Sequence, residues 1–128
     1  ALAVERSFAR ELPDVQLERA VDGVEALRIL RGFQEEEAAR NCLVLIDLNM
    51  PRMGGVELLR AIRGDEKLRA TVAFVHTTSK DERDVAMVYR LNVAGYLVKS
   101  IDGDSSRAVS ALIREYFRNV CFPPPKAG

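Results

Sequence analysis

The chain has 128 residues, with 19 basic and 19 acidic side chains and a formal net charge of zero at pH 7. This length is typical of one domain, which buries roughly 68% of the surface that its unfolded chain exposes. Because the charges cancel, the composition favours neither nucleic acid nor an anionic membrane as a partner. The apolar runs are short, and Cys42 and Cys121 lack metal-ligand spacing. We therefore expect a cytoplasmic protein with reduced thiols, no membrane span and no signal peptide.

The first third of the chain predicts a helix, a strand and a second helix. Apolar residues recur at helical spacing over 1–12, where Pro13 ends the helix, and they alternate over 15–21 as in a strand. Asp22, followed three residues later by Glu25, resembles a capping box and opens the next helix. We expect the apolar stripe of that helix to contain Val24, Leu27, Leu30 and Phe33.

The rest of the chain alternates strands with helices. The run CLVLID is apolar up to its last residue, which is typical of a parallel strand covered on both faces. We predict strands at 42–47, 71–77 and 94–100, and helices at 55–63, 82–92 and 105–120. The last helix has the cleanest apolar stripe: Val109, Leu112, Ile113, Tyr116, Phe117 and Val120. This alternation predicts an α/β fold with a parallel sheet and right-handed crossovers.

Three polar side chains stand at the ends of three successive predicted strands. Asp47, Thr77 and Lys99 would bring a carboxylate, a hydroxyl and an ammonium group to one edge of the sheet, where such folds bind ligands. Each residue alone could be structural: an aspartate capping a turn, a threonine closing a loop, a lysine reaching solvent. Their coincidence on successive strands favours a functional site.

The three groups suit phosphoryl transfer to a carboxylate. An aspartate can act as nucleophile and form an aspartyl phosphate, whose added charge of roughly two negative units needs partners. Lys99 and Thr77 can supply a positive charge and a hydroxyl donor. Mg²⁺ is the cation expected to offset the charge, since it prefers oxygen ligands and keeps several waters.

The motifs DLNMPRMGG at 47–55, TTS at 77–79 and YLVKS at 96–100 resemble the receiver domain of bacterial two-component response regulators. The spacings from Asp47 to Thr77 and from Thr77 to Lys99 match that family, over residues 1–120, with 121–128 as a Pro-rich tail. The details DLNMP, HTTS, KS and EYFRNVCFPPP are most similar to single-domain regulators paired with phytochrome histidine kinases. The resemblance implies a flavodoxin-like three-layer sandwich with a five-stranded parallel sheet in the order 2-1-3-4-5.

The same resemblance implies a role for each matching residue. Asp47 would be the phosphoacceptor and, with the backbone carbonyl of Asn49, a metal ligand. Lys99 would contact the phosphoryl group. Thr77 would be the switch hydroxyl, and Tyr96 the aromatic side chain whose rotamer reports its movement.

Further residues would shape the surrounding loops. Thr78 and Ser79 would control access of water to the acyl phosphate, and Pro51 and Gly55 would shape the loop after Asp47. Other residues near the site could have a purely structural role. Tyr96 could be an ordinary half-buried strand residue, His76 is expected to face a helix without a catalytic role, and Met50 and Met53 are expected to pack the loop.

Receivers also hold their metal with an acidic pair that follows the first strand. The sequence begins with Ala1, inside a predicted helix, so neither that strand nor the pair is present. The missing strand would lie between those at 15–21 and 42–47. We therefore expect that roughly a dozen residues precede Ala1, and that magnesium affinity is low without them.

Two other functions compete with a phosphoacceptor receiver. Haloacid-dehalogenase-type phosphatases also place an aspartate, a Ser or Thr and a Lys at strand ends, but they need a second aspartate where this chain has Asn49. A pseudo-receiver, which binds proteins without phosphorylation, is favoured by the absent acidic pair. The preferred hypothesis is a signalling protein and not an enzyme, apart from limited autophosphatase activity. Its expected partners are a sensor histidine kinase and a second copy, bound through the last helix and strand.

Overall fold

The computed structural model describes residues 22–35, 43–50, 52–99 and 106–121. Helices and strands alternate along them in the order α1 (Gly23–Glu35), β1 (Leu43–Ile46), α2 (Gly55–Gly64), β2 (Val72–Thr77), α3 (Glu82–Arg90), β3 (Gly95–Val98) and α4 (Ser106–Asn119). Each of these elements lies within a few residues of its predicted position. The predicted helix at 1–12 and strand at 15–21 lie outside the described residues.

The three described strands form one parallel sheet in the order β1-β2-β3. Ile46 at the end of β1 pairs with Val75, and Thr77 at the end of β2 pairs with Val98. Because the strands are parallel and adjacent, their carboxyl ends meet at one edge of the sheet, as predicted. This edge is where Asp47, Thr77 and Lys99 lie.

Two apolar cores cover the two faces of the sheet. The larger lies between the sheet and helices α1, α2 and α3, and its members include Leu27, Leu30, Ile46, Leu58, Leu59, Ile62, Val75 and Val88. The smaller lies between the sheet and α4, around Leu43, Phe74, Val109 and Ile113. The rings of Phe74 and Tyr116 pack edge to face in this second core, with centroids 5.2 Å apart. Helices on both faces produce the three-layer arrangement.

Arg63, near the end of α2, joins three chain segments at the edge of the sheet opposite Asp47. Its guanidinium donates hydrogen bonds of 2.6 to 2.9 Å to four backbone carbonyls, those of Arg69, Thr71, Leu91 and Asn92. These carbonyls belong to the turn before β2 and to the end of α3, where they lack helical partners. Arg63 therefore fixes α2 and α3 against β2.

The predicted apolar stripe of α1 is wrong at its first position. Val24 is 49% exposed, whereas Ala26, Leu27 and Leu30 are buried. The buried face starts at Gly23, whose missing side chain leaves room for Met53, so the stripe lies one residue away from Val24. The side chain of Phe33 lies outside the described part. Leu112 on α4 and Val120 just after it, both in the predicted stripe, are also exposed, because Val109 and Ile113 define the buried line.

The corrected face of α1 predicts opposite results for two truncations. Leu27→Ala should lower the free energy of unfolding by about 2–4 kcal/mol, because it removes buried methyl groups and leaves a cavity. Val24→Ala should change it by less than about 0.5 kcal/mol, since the side chain is exposed and alanine favours helix. Urea unfolding followed by circular dichroism measures both. A larger loss for Val24→Ala would contradict the observed face.

Candidate functional site

Asp47 and Lys99 meet directly at the edge of the sheet. Asp47 follows β1 and Lys99 follows β3, and the Lys99 Nζ lies 2.6 Å from Asp47 Oδ2. The backbone N–H of Asn49 donates to the other carboxylate oxygen at 3.0 Å. Both charged side chains are 36% exposed, so the pair is shielded on the protein side and open to a partner on the other. The predicted meeting of this carboxylate and this ammonium is therefore present.

Thr77 lies between them at the end of β2. Its backbone carbonyl accepts a hydrogen bond of 2.8 Å from the Lys99 N–H, which fixes the base of the lysine. Its buried hydroxyl accepts a long hydrogen bond of 3.4 Å from the N–H of Ser79. Thr77 thus joins the site through its backbone, and its hydroxyl is held by its own loop.

The electrostatics of the site favour an ionised Asp47. Burial by itself would raise the pKa of the carboxyl, but the hydrogen bond from Lys99, the Asn49 N–H and the lysine charge outweigh burial and lower this pKa below 3.8. An ionised carboxylate is the form that can attack phosphorus. Burial and the charge of Lys99 lower the pKa of nearby His76, which keeps its imidazole neutral at pH 7. His76 lies in β2 on the same face as Phe74, and its non-catalytic role stays a prediction.

The loop after Asp47 depends on a close backbone approach at Gly55. A Cβ atom on this residue would lie 2.7 Å from the Asp47 carbonyl oxygen, too close for any side chain. The Gly55 N–H also donates to the Leu48 carbonyl at 3.3 Å. The geometry therefore requires glycine where the sequence analysis expected one. Met50 and Met53, which were expected to pack the loop, lie against the larger core, whereas Pro51 lies outside the described residues.

Ser79 connects Tyr96 to the start of α3. The Tyr96 hydroxyl donates to the Ser79 carbonyl at 2.8 Å, and the Ser79 hydroxyl donates to Asp84 Oδ2 at 2.7 Å. Tyr96 is half-buried against the larger core, as expected of an ordinary strand residue, but its hydroxyl also binds the loop. Thr78, the other loop residue, is exposed.

Two residues of this neighbourhood were missed by the sequence analysis. Asp84 was not singled out, because an acidic residue in the first turn of a helix is ordinary. Asp22 was identified only as a helix cap. It does cap α1, accepting the Glu25 N–H at 2.9 Å, but its other oxygen binds the guanidinium of Arg52. That partner is 30 residues away in sequence, and only the tertiary structure identifies it.

The donor atoms present fit a hard divalent cation. The Asp47 carboxylate and the Asn49 carbonyl are oxygen donors, and Mg²⁺ commonly binds through one or two carboxylates while keeping several waters. Among residues 22–35, 43–50, 52–99 and 106–121, no group of three or more His, Cys, Asp or Glu side chains is placed to hold a metal. The acidic pair that the resemblance implies would follow the first strand of the family's fold, outside these residues.

Two relatives match a large part of this sequence. The probable methanogenesis regulatory protein FilR2 of Methanothrix harundinacea is 32% identical over 117 residues, which are 91% of this chain and 76% of that protein. The response regulator Rcp1 of Synechocystis is 40% identical over 80 residues, which are 62% of this chain and 54% of Rcp1. The match therefore spans about half the length of Rcp1.

Solved structures share the fold. The phosphorylated cyanobacterial phytochrome response regulator RcpA has a TM-score of 0.79 and 29% identity, with 96% of this chain and 89% of RcpA covered. The Mn²⁺-bound form of Rcp1 has the same TM-score and 30% identity, with 96% and 90% covered. These neighbours confirm the predicted flavodoxin-like fold, while the two strands predicted before β1 stay outside the described residues.

None of the helices in the described part of the chain has the length and apolarity that crossing a membrane requires.

The family itself is identified by a match along most of the sequence. Residues 6–111 match the family described as the response regulator receiver domain. The predicted resemblance is thus confirmed, including its likeness to the regulators associated with phytochromes. This chain belongs to the response regulator receiver domain family.

Proposed function

We propose that the chain takes a phosphoryl group from a sensor histidine kinase onto Asp47 and transmits the signal through a change at its surface. The observation that carries this proposal is the 2.6 Å contact between the Asp47 carboxylate and the Lys99 ammonium. In the transfer, an Asp47 oxygen forms a bond to phosphorus while the bond from phosphorus to the kinase imidazole nitrogen breaks. The electron pair of the broken bond stays on the imidazole nitrogen.

The residues around Asp47 would accommodate the added charge. Lys99 already contacts the carboxylate and can reach a phosphoryl oxygen by a small displacement. Asp47 and the carbonyl of Asn49 would hold Mg²⁺, whose charge, when bound, offsets that of the transferred group. Only oxygen donors are involved, which supports this choice of cation.

Thr77, Ser79 and Tyr96 would carry the change to the surface. Within the described part of the chain, the hydroxyl of Thr77 would lose one long hydrogen bond of 3.4 Å if it turned towards a phosphoryl oxygen. Ser79 would move with it, and both Tyr96 and Asp84 are hydrogen-bonded to Ser79. A local charge change would in this way bias the loop and the first turn of α3.

The kinase partner is proposed from the relatives. The solved neighbours include a cyanobacterial phytochrome response regulator and a response regulator in red light signaling of R. palustris. We therefore propose that the partner is a phytochrome-type histidine kinase. We also propose that the chain is located in the cytoplasm. Thr78 and Ser79, on the loop beside the site, would set the rate at which water hydrolyses the acyl phosphate, which is the limited autophosphatase activity expected.

One alternative function has an observation in its favour. Among the described residues, no group of three or more His, Cys, Asp or Glu side chains could hold a metal, as expected of a pseudo-receiver. Titration calorimetry with beryllofluoride, a phosphate mimic, in the presence of Mg²⁺ separates the two. Binding of the mimic by the wild-type chain, lost in Asp47→Ala, supports the receiver. With any residues that precede Ala1 included, absence of binding in the wild type favours a protein-binding module. The phosphatase alternative has no supporting observation.

The last helix and strand are proposed to form a homodimer. Val98 on β3 and Leu112 on α4 are 39% and 44% exposed, and Val120 after α4 is also exposed. Exposed apolar side chains on both elements favour association with a second copy of the chain.

A charge introduced into this surface should weaken the dimer. Leu112→Glu should shift light scattering to the monomer mass at concentrations where the wild type is dimeric, because a carboxylate would lose its water in the interface. Ala111→Glu adds the same charge at the adjacent exposed position of α4 and serves as the control. A wild type that is monomeric at all concentrations tested would disprove the dimer.

A further inference from the structure

The loop that follows Asp47 is attached to the start of α1 by two contacts. The Gly23 N–H donates to the Met53 carbonyl at 3.0 Å. Arg52 Nε donates to Asp22 Oδ2 at 2.7 Å, and Nη2 of the same guanidinium contacts the same oxygen. The Asp22 side chain is 2% exposed, so its charge depends on this guanidinium and on the N–H groups of the helix.

Arg52 occupies a backbone conformation that side chains rarely adopt. Its φ is 61°, in the left-handed region where glycine is favoured. Such a conformation persists in other residues only when the surroundings hold it in place. The ion pair with buried Asp22 is a contact that glycine could not make, and it accounts for an arginine at this position.

The other end of the same loop carries the functional groups. The Asn49 N–H donates to Asp47 Oδ1, and the loop closes at its base through the Gly55 N–H and the Leu48 carbonyl. Asn49 therefore lies between two supports, the base at Leu48 and the attachment of Arg52 to α1. Asn49 and Arg52 are three positions apart in the sequence, so a displacement of Arg52 would disturb Asn49.

We propose that Arg52 and Asp22 are positioning residues for the site. Their ion pair keeps the loop in the conformation in which Asn49 holds Asp47 by its N–H and offers its carbonyl to Mg²⁺. This role rests on the proposed function of Asp47. The proposal gives the N-terminus of α1 a role in metal binding, whereas the sequence there indicates only a helix cap.

The test compares variants of the ion pair in the full chain. Arg52→Met removes the charge from an exposed side chain and leaves the helix cap intact. Asp22→Asn removes the opposite charge and keeps an oxygen that can cap α1. Arg52→Lys is the conservative variant. Arg118→Met, which breaks an exposed ion pair on α4, is the matched control.

The expected result is a shift in magnesium dependence. In Arg52→Met and Asp22→Asn, the Mg²⁺ concentration for half-maximal labelling by acetyl phosphate should rise about tenfold, as when outer residues of a metal site are lost. The labelling rate at saturating Mg²⁺ should fall by a smaller factor, because Asp47 and Lys99 themselves are unchanged. Arg52→Lys should recover part of the affinity, and Arg118→Met should show no shift. A merely structural pair would alter stability without separating these two quantities.

The proposal is overturned if the wild type labels normally and neither ion-pair variant shifts the magnesium dependence. A wild type that does not label contradicts the proposed function instead. Amide exchange of buried Gly55 in the metal-free chain then decides whether the pair holds the loop. Faster exchange in Arg52→Met than in Arg118→Met is expected, and equal exchange overturns the positioning role.

Discussion

Asp47→Asn should reduce labelling of the chain by acetyl phosphate and Mg²⁺ to background. The amide cannot form the acyl phosphate. Its one oxygen can still accept a hydrogen bond from either Lys99 or the Asn49 N–H, which bind different oxygens of Asp47, so the fold should be retained. Intact mass spectrometry measures the fraction of chain that carries a phosphoryl group.

The control is Asp65→Asn, after the end of α2 and outside the site. An asparagine there can still accept the Lys67 N–H that Asp65 binds at 2.9 Å. This variant should label like the wild type. If Asp47→Asn and the wild type label equally, Asp47 is not the phosphoacceptor.

Lys99→Met should slow labelling about 100-fold, which is a typical effect of removing one charge-stabilising donor from an active site. Methionine keeps most of the aliphatic length of lysine, so the change is mainly one of charge. Lys67→Met, at an exposed position after α2, should leave the rate unchanged. An unchanged rate in Lys99→Met would contradict a role for the ammonium in the transfer.

The same variant should change the pH dependence of labelling. Burial by itself would raise the pKa of Asp47. Lys99 is the main group that opposes this effect, and the net result is a lowered pKa. In the wild type, therefore, the Asp47 carboxylate should protonate at a lower pH than an ordinary aspartate does. In Lys99→Met the pKa should rise, and labelling should decline at a higher pH than in the wild type.

The sign of the stability effect follows from the same shift. Since the folded-state pKa of Asp47 is lowered, the pair with Lys99 stabilises the fold above the unfolded pKa, and this contribution is lost as the pH falls through the folded value. The pair is partly exposed, so solvent screening keeps the contribution small. Rate profiles across the acidic range, and not unfolding, are therefore the sensitive measurement.

Local patterns were enough to predict the architecture. The apolar run at 43–46 became β1, the helices α2, α3 and α4 began close to their expected residues, and the parallel order placed Asp47, Thr77 and Lys99 at one edge. These features depend on periodicity and on strand-end position, which neighbouring residues determine. The face of α1 was misjudged at Val24, because the sequence does not show that Gly23 packs against Met53.

The sequence by itself determined which groups reach the edge of the sheet, whereas only the tertiary structure decided how they pair. The contact between Lys99 and Asp47 was foreseen because both end parallel strands, but the attachments of Asp22 to Arg52 and of Tyr96 to Ser79 were not. Each of these joins a loop to a distant element, and the direction of a loop side chain depends on the packing around it. The apolar pattern along the chain shows where each strand ends. It does not show which distant residues a loop side chain contacts.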